Sequence, residues 1–134
     1  MTGIHTKTIR RLVVVFLAGL LCVISAETGS GVPGVIEGLA SWYSESSPGI
    51  RPTTANMEIF DHEKMTCAIW DFPFDVLLEV TNVNNGKQVL VRVNDRGPAK
   101  RLCREGRVID LTMAAFKKIA DLDEGLVEVK VRVV

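Results

Sequence analysis

The stretch Val91-Arg92-Val93-Asn94-Asp95-Arg96-Gly97-Pro98 is the best guide to the fold of this 134-residue chain. Its valines alternate with Arg92, which predicts a β-strand with one apolar and one polar face. The closing Gly97-Pro98 pair predicts a turn directly after the strand. Asp95 therefore lies at the end of a rigid strand, where catalytic and ligand-binding carboxylates are often held. We take Asp95 as the leading functional candidate; the alternative is a turn carboxylate that accepts hydrogen bonds from nearby backbone amides.

Composition and charge narrow the class of protein. Hydrophobic residues make up 47% of the chain and charged residues 24%, which is typical of a globular protein. Three of the 16 basic residues precede an apolar stretch near the N-terminus, so 13 basic and 16 acidic residues follow it. A net charge of −3 in that part offers no footprint for nucleic acid, and we exclude this class of partner. The length allows one domain.

The N-terminus has the layout of a secretory signal peptide. Residues 1–11 are polar and basic, Leu12–Ile24 is an unbroken apolar run, and Ser25-Ala26 supplies a small-residue cleavage site. We therefore predict a signal peptide at residues 1–26 and an exported mature protein. The apolar run has 13 residues, fewer than the roughly 20 that a membrane-spanning helix needs.

Two alternatives to cleavage stay open. The segment could be retained as a membrane anchor, or the chain could be lipidated at Cys22, although Leu21 stands where lipoprotein signals have a small residue. Contact with a membrane is expected only through such an uncleaved or lipidated N-terminus. Beyond the signal, residues 27–37 are rich in glycine and serine and predict a flexible lead-in to a domain at 38–134.

After cleavage two cysteines remain, Cys67 and Cys103. In an oxidising compartment an even number favours a disulfide between them, and we predict this bond. The alternative is a pair of buried thiols. No spacing of cysteine and histidine suggests zinc, and we expect neither a metal nor another cofactor.

The pattern of the mature chain predicts a mainly β domain. Residues 127–133 alternate valine with charged residues, and Asn84-Asn85-Gly86 between two β-rich runs predicts a hairpin turn. Thr112 is placed to cap one short helix at 113–120, and 100–106 is predicted to be a basic loop. The predicted strands are 35–44, 65–70, 77–82, 88–94, 107–111 and 127–133. Six short strands predict a small barrel, because closure removes exposed strand edges.

Seven motifs follow one another in an order that resembles a known family. They are Ala40-Ser41-Trp42-Tyr43, Thr54-Ala55-Asn56-x-Glu58, Pro73-Phe74, Val80-Thr81-Asn82, Asn85-Gly86, the opening stretch at 91–98, and Ile109-Asp110-Leu111-Thr112. From about Gly38 to Val134 the chain resembles the rare lipoprotein A family, septal-ring endolytic peptidoglycan transglycosylases. The resemblance implies a six-stranded double-psi β-barrel with one short helix. A more distant resemblance links the chain to the first domain of expansins and to some endoglucanases.

The resemblance also implies a reaction. The substrate would be the glycan strands of peptidoglycan, cleaved without water in cell-wall remodelling or division, so that the 6-hydroxyl of a sugar closes a 1,6-anhydro ring. One carboxyl group, that of Asp95, would act first as acid and then as base. Glu58 would assist or orient it. The implied location is the bacterial periplasm or cell envelope, and we expect a monomer.

The resemblance assigns further residues to the substrate groove. Trp42 and Tyr43 are expected to stack on sugars, although a small barrel also needs aromatic residues in its core. Asn94 and Arg96 are expected to contact the substrate, with Arg96 either holding sugar hydroxyls or pairing with a nearby acid. Asp110 is expected to be structural first and a member of the site second.

One departure from the family keeps a second function open. Members usually carry a histidine eleven residues after the loop glutamate, and here Ile69 stands in that position. An isoleucine cannot exchange a proton. The preferred interpretation is an enzyme that works with Asp95 and Glu58; the alternative is a barrel that binds glycan or loosens the wall, as expansins do. A purely structural role at the division site is the third.

Overall fold

Alternating apolar residues build a closed barrel of six strands. The computed structural model describes residues 34–134, so the predicted signal peptide and most of the predicted lead-in lie outside it. Strands and helices are β1 Val35–Tyr43, β2 Thr66–Ala68, β3 Leu77–Asn82, β4 Gln88–Asp95, α1 Lys100–Cys103, β5 Arg107–Thr112, α2 Met113–Lys117, a 3₁₀ turn Leu122–Glu124 and β6 Val127–Val133. Around the barrel the strand order is β1-β5-β2-β4-β3-β6. The prediction of a six-stranded β-barrel is confirmed.

The strand pairing brings distant motifs together at one end of the barrel. β1 runs parallel to β5 and β2 parallel to β4, while the other four neighbouring pairs are antiparallel. Ser41 is paired with Asp110, Asp110 with Ala68, and Ala68 with Asp95. The two aspartates therefore lie in one row across three neighbouring strands, separated by the small side chain of Ala68.

Apolar side chains from all six strands fill the interior of the barrel. Val127, Val129 and Val131 of β6 point inward and are buried, as their alternation predicts. Helix α2 covers one side of the barrel with Phe116, and its Thr112 cap accepts a hydrogen bond from the Ala115 amide. The predicted cap is confirmed, although the helix ends at Lys117 rather than at residue 120.

Local structure differs from the predictions in three places. Residues 35–37 belong to β1 and pair with β6, so the predicted domain boundary after residue 37 lies inside a strand. The predicted strand at 65–70 is reduced to Thr66–Ala68. The predicted loop at 100–106 contains the one-turn helix α1, because the Ala99 carbonyl accepts the amides of Leu102 and Cys103. Within residues 34–134 no helix is both long and apolar enough to span a bilayer.

The predicted disulfide is absent, since Cys67 and Cys103 are both free thiols. Cys67 lies on β2 and is fully buried in the barrel core, where burial raises the pKa of its thiol. Cys103 belongs to α1, outside the barrel wall. Its Sγ donates a hydrogen bond to the Pro98 carbonyl oxygen at 3.5 Å. The alternative of two separate thiols is therefore the one that the structure adopts.

Candidate active site

Asp95 ends β4 and is held by donors from three parts of the chain. Its Oδ1 accepts the backbone amides of Ala55 and Arg96, each at 2.9 Å. Its Oδ2 accepts the hydroxyl of Tyr43 at 3.3 Å. The carboxylate is therefore fixed in orientation and, as predicted, lies at the end of a strand rather than within a mobile loop.

A cleft of about 430 Å³ opens beside this carboxylate. The loop of residues 49–60 forms one wall, and the end of β4 forms the other. The lining residues are Gly49, Ile50, Arg51, Thr53, Thr54, Ala55, Met57, Phe60, Asp95 and Arg96. The loop is closed on itself by the Thr54 amide, which donates to the Glu58 carbonyl at 2.8 Å, and by a bridge between Thr53 and Ile59. A carboxylate beside an open cleft can reach a bound chain.

Tyr43 supports Asp95 from beneath the cleft. Its ring is buried and stacks on Phe60, with the ring centroids 4.7 Å apart. Burial, and after it the negative charge of Asp95, raises the pKa of Tyr43 well above its ordinary value. The hydroxyl therefore stays protonated and donates to Asp95. The expectation that Tyr43 offers a surface for sugar stacking is wrong, because its ring is covered.

Trp42 also fails to reach the cleft. Its side chain packs against the barrel core, and its Nε1 donates to the Leu122 carbonyl at 3.1 Å. Successive residues of a strand point to opposite sides, so Trp42 and Tyr43 could not both face one groove. Trp42 is therefore a structural residue, which corrects its assignment to substrate binding.

Glu58 is locked as a carboxylate by its neighbours. Arg92 binds it with both terminal nitrogens, at 2.7 and 2.8 Å, and the amides of Asn56 and Asn94 donate to it at 2.7 and 3.2 Å. The hydrogen bond from Arg92 is the main reason why the pKa of Glu58 falls to about 2. Glu58 therefore carries no proton to donate near neutral pH, and its contacts fit an orienting role.

Asn94 and Arg96 flank Asp95 and are both engaged within the protein. Asn94 is almost fully buried, its amide nitrogen is bound to Glu58, and its Oδ1 has no partner among residues 34–134. Arg96 lines the cleft, yet its Nη1 donates to the carbonyls of Ile69 and Phe72, both at 2.8 Å. Arg96 therefore braces the turn at the end of β4.

Asp110 lies beneath the turn that follows Asp95. The hydroxyl of Ser41 donates to its Oδ1, and burial raises the pKa of Asp110 despite this bond. A Cβ atom at Gly97 would lie 3.2 Å from Asp110 Oδ2 and 3.3 Å from the Cβ of Ala68. Gly97 lets the turn approach Asp110 closely. Asp110 is thus held within the barrel wall, and its membership of the site stays a prediction.

Ile69 occupies the position of the family histidine and points into the barrel. Its side chain is fully buried in the main core, while its amide donates to the Asp95 carbonyl at 3.2 Å. The sequence interpretation missed Arg92, which holds Glu58, and the backbone amide of Ala55. A signal for Arg92 was present, since it is a basic residue on the face of the strand opposite to Val91 and Val93.

Comparison with protein families gives one match, to the family described as lytic transglycolase, over residues 35–131. The endolytic peptidoglycan transglycosylase RlpA of Vibrio cholerae is 42% identical over 97 residues, which are 72% of this chain and 35% of that protein. The enzyme of the same name from Pseudomonas aeruginosa is 46% identical over 94 residues, 70% of this chain and 26% of that protein. The chain thus spans about a quarter to a third of the length of these relatives.

Solved structures share the fold. The Streptomyces papain inhibitor superposes with a TM-score of 0.59 at 26% identity and covers 77% of this chain and 96% of its own. An expansin from Clavibacter michiganensis gives a TM-score of 0.57 at 22% identity, over 75% of this chain and 50% of its own, which supports the fold alone. With its barrel and the match over residues 35–131, the chain belongs to the lytic transglycolase family of double-psi β-barrels.

Proposed function

We propose that this chain is an endolytic peptidoglycan transglycosylase that cleaves glycan strands and leaves 1,6-anhydro ends. The observation that carries the proposal is the Asp95 carboxylate, held by donors on both oxygens at the edge of an open cleft. The relatives named as endolytic peptidoglycan transglycosylases align with the barrel that presents this cleft. Their names support peptidoglycan as the substrate. A role in cell-wall remodelling or division is part of the proposal.

In this reaction Asp95 first donates a proton and then takes up a different one. Oδ1 accepts two backbone amides, so the oxygen free to carry the proton is Oδ2, which has only the longer contact to Tyr43. The proton passes to the bridging oxygen as the glycosidic bond breaks. The 6-hydroxyl of the same sugar attacks its anomeric carbon, and the hydroxyl proton passes to Asp95. No water is consumed, so a second carboxylate that activates water is not required.

Glu58 acts here as a positioning residue. As an anion near neutral pH it holds Arg92 of the barrel and Asn56 of the loop together. That loop also supplies the Ala55 amide which orients Asp95. Loss of the Glu58 charge would therefore displace a donor to the proposed acid without removing the acid itself.

The proposed setting is the bacterial cell envelope. A signal peptide at residues 1–26 would export the chain to the space where peptidoglycan is found. The proposed partner is the glycan strand itself, bound by the barrel as a monomer.

A second candidate function is glycan binding without cleavage. The observation that favours it is Ile69, because the histidine position of the family holds an apolar side chain that faces the core. An expansin that shares the fold over 50% of its own chain has been solved in complex with cellohexaose. In this case the Asp95 cleft would grip the strand and loosen wall contacts without breaking a bond.

The deciding experiment incubates the purified chain with glycan strands whose stem peptides have been removed. Mass spectrometry should detect 1,6-anhydro ends with the unmodified chain, and Asp95→Asn should lower their rate at least a hundredfold, as expected when a general acid is removed. Asp71→Asn is the matched control, since Asp71 is exposed and outside the cleft. Co-sedimentation with the strands without anhydro products would favour the binding function. If the chain neither cleaves nor binds the strands, both functions are rejected.

A further inference from the structure

Trp70 is the only aromatic residue among residues 34–134 whose side chain is well exposed. Its exposed fraction is 40%, whereas Tyr43 and Phe72 are buried and Trp42 packs on the core. Trp70 itself belongs to neither of the two apolar clusters of the described chain. Tryptophan is enriched at interfaces, because it offers a large apolar ring together with an N–H group that can donate a hydrogen bond.

The position of Trp70 connects it to the proposed acid. Its Nε1 donates to the Pro98 carbonyl at 2.7 Å, and Pro98 follows Asp95 by three residues in the same turn. The residue before it, Ile69, donates its amide to the Asp95 carbonyl at 3.2 Å. Trp70 therefore lies against the turn that carries Asp95 and Arg96, and it is not among the residues that line the cleft.

Positive charge gathers at this ring. The ammonium of Lys100 lies 3.7 Å from the centre of the Trp70 ring. Arg101 lies on the same one-turn helix and Arg104 directly follows it, and none of these three cations enters an ion pair in the part of the chain that the structure describes. The quadrupole of an aromatic ring attracts a cation over its face, so the Lys100 ammonium is held beside the exposed indole.

We propose that Trp70 and Lys100 form a further glycan subsite beside the Asp95 cleft, selective for a strand that carries carboxylates. A sugar ring would stack on the exposed part of the indole, and the Lys100 ammonium would bind a carboxylate attached to that strand. This inference rests on the proposed glycan substrate, and it adds that the preferred strand is negatively charged. It also supplies the aromatic platform that Trp42 and Tyr43 do not provide.

Binding measurements on four variants test the subsite. Trp70→Ala should weaken binding of all glycan strands about tenfold, the usual scale of a lost aromatic contact. Trp70→Phe keeps a ring while losing the bond to Pro98, and should retain most of the affinity. Lys100→Gln should weaken binding only of strands with carboxylates. Arg104→Gln makes the same change of charge four residues after Lys100, at a side chain that does not lie over the ring, and should have a much smaller effect.

Three ligands separate the sources of the carboxylate. They are peptidoglycan strands with stem peptides, the same strands without stem peptides, and chitin oligosaccharides, which have acetylated sugars and no carboxylate. A Lys100→Gln effect on both peptidoglycan ligands supports a carboxylate on the sugar, and an effect only with stem peptides supports one on the peptide. Equal loss with chitin would overturn the charge selectivity.

The outcome also separates this inference from the proposed function. If the unmodified chain binds glycan and Asp95→Asn abolishes cleavage while the Trp70 and Lys100 variants bind normally, the subsite is rejected and the enzyme stands. If the unmodified chain binds none of the three ligands, both proposals are rejected. Because Lys100 is exposed, its substitution tests the subsite even if Trp70→Ala is poorly folded.

Discussion

The location of Asp95 at the end of a strand follows from the local sequence pattern, whereas its hydrogen-bond partners come from distant parts of the chain. The strand and the turn that surround it are visible in eight consecutive residues. Its other two hydrogen-bond donors, Ala55 and Tyr43, lie 40 and 52 residues away. A candidate acid can therefore be found from sequence, but the groups that orient it cannot.

Met57 adopts a backbone conformation that methionine does not favour, and nothing in the local sequence predicts it. It has φ of 73° on the wall of the cleft, and 78% of its side chain is exposed. A positive φ costs a residue with a side chain about 1–2 kcal/mol, and the greater freedom of glycine in the unfolded chain offsets part of this. We expect Met57→Gly to raise the free energy of unfolding by about 0.5–1 kcal/mol.

Urea unfolding measures this change. Ile59→Gly is the control, because Ile59 is 83% exposed on the same loop but does not have a positive φ. It should lower the free energy of unfolding by about 0.5–1 kcal/mol. If both variants lowered the free energy of unfolding, Met57→Gly would not be releasing backbone strain.

At the scale of the element, β1 depends on a glycine for its close contact with β5 and with the loop before β5. A Cβ atom at Gly38 would lie 2.4 Å from Val108 Cγ1 and 2.9 Å from the Gly106 carbonyl oxygen. We expect Gly38→Ala to lower the free energy of unfolding by about 1–3 kcal/mol, the range for overpacking, as measured by thermal or urea unfolding.

Two further variants make that prediction specific. Gly34→Ala is the matched control, since a Cβ atom there would meet nothing within 4 Å. Val108→Ala combined with Gly38→Ala should recover part of the loss, because it removes the nearer of the two contacts. If the double variant were no more stable than the sum of the single changes predicts, steric contact with Val108 would not be the cause.

Elements differ in how well their sequences predict them. The hairpin between β3 and β4 follows from Asn84-Asn85-Gly86, and Gly86 adopts φ of 74° as such a turn requires. The cap at Thr112 is equally local. Strand β2 is only three residues long, and its extent is set by its pairing with β4 and β5 rather than by its own composition. The apolar run at 65–70 therefore predicted a strand that was longer than the observed one.

For the whole molecule, the pair of Glu58 and Arg92 ties the cleft loop to the barrel wall and makes stability depend on pH. The folded-state pKa of Glu58 lies at about 2, below its ordinary value of 4.5. Its stabilising contribution is therefore complete above about pH 4.5 and is lost as the pH falls towards 2. We expect the free energy of unfolding to decrease across this interval.

Glu58→Gln tests the pH effect, because it keeps the shape of the side chain and removes its charge. The variant should be less stable than the unmodified chain near neutral pH, and this difference should shrink between about pH 4.5 and 2. Urea unfolding at several pH values measures it. Glu105→Gln, an exposed glutamate without an ion-pair partner among residues 34–134, should leave the curve unchanged. A constant difference at all pH values would show that Glu58 acts through packing alone.

The amino-acid sequence by itself determined the mainly β class, the hairpin, the helix cap and the strand-end position of Asp95. These features arise from alternation, turn residues and capping groups, which act over only a few neighbouring positions. Only the tertiary structure decided that Trp42 and Tyr43 are covered while Trp70 is exposed, that Cys67 and Cys103 stay apart, and that Arg92 holds Glu58. The physical reason is that exposure and partners depend on how strands from distant parts of the chain pair as the barrel closes.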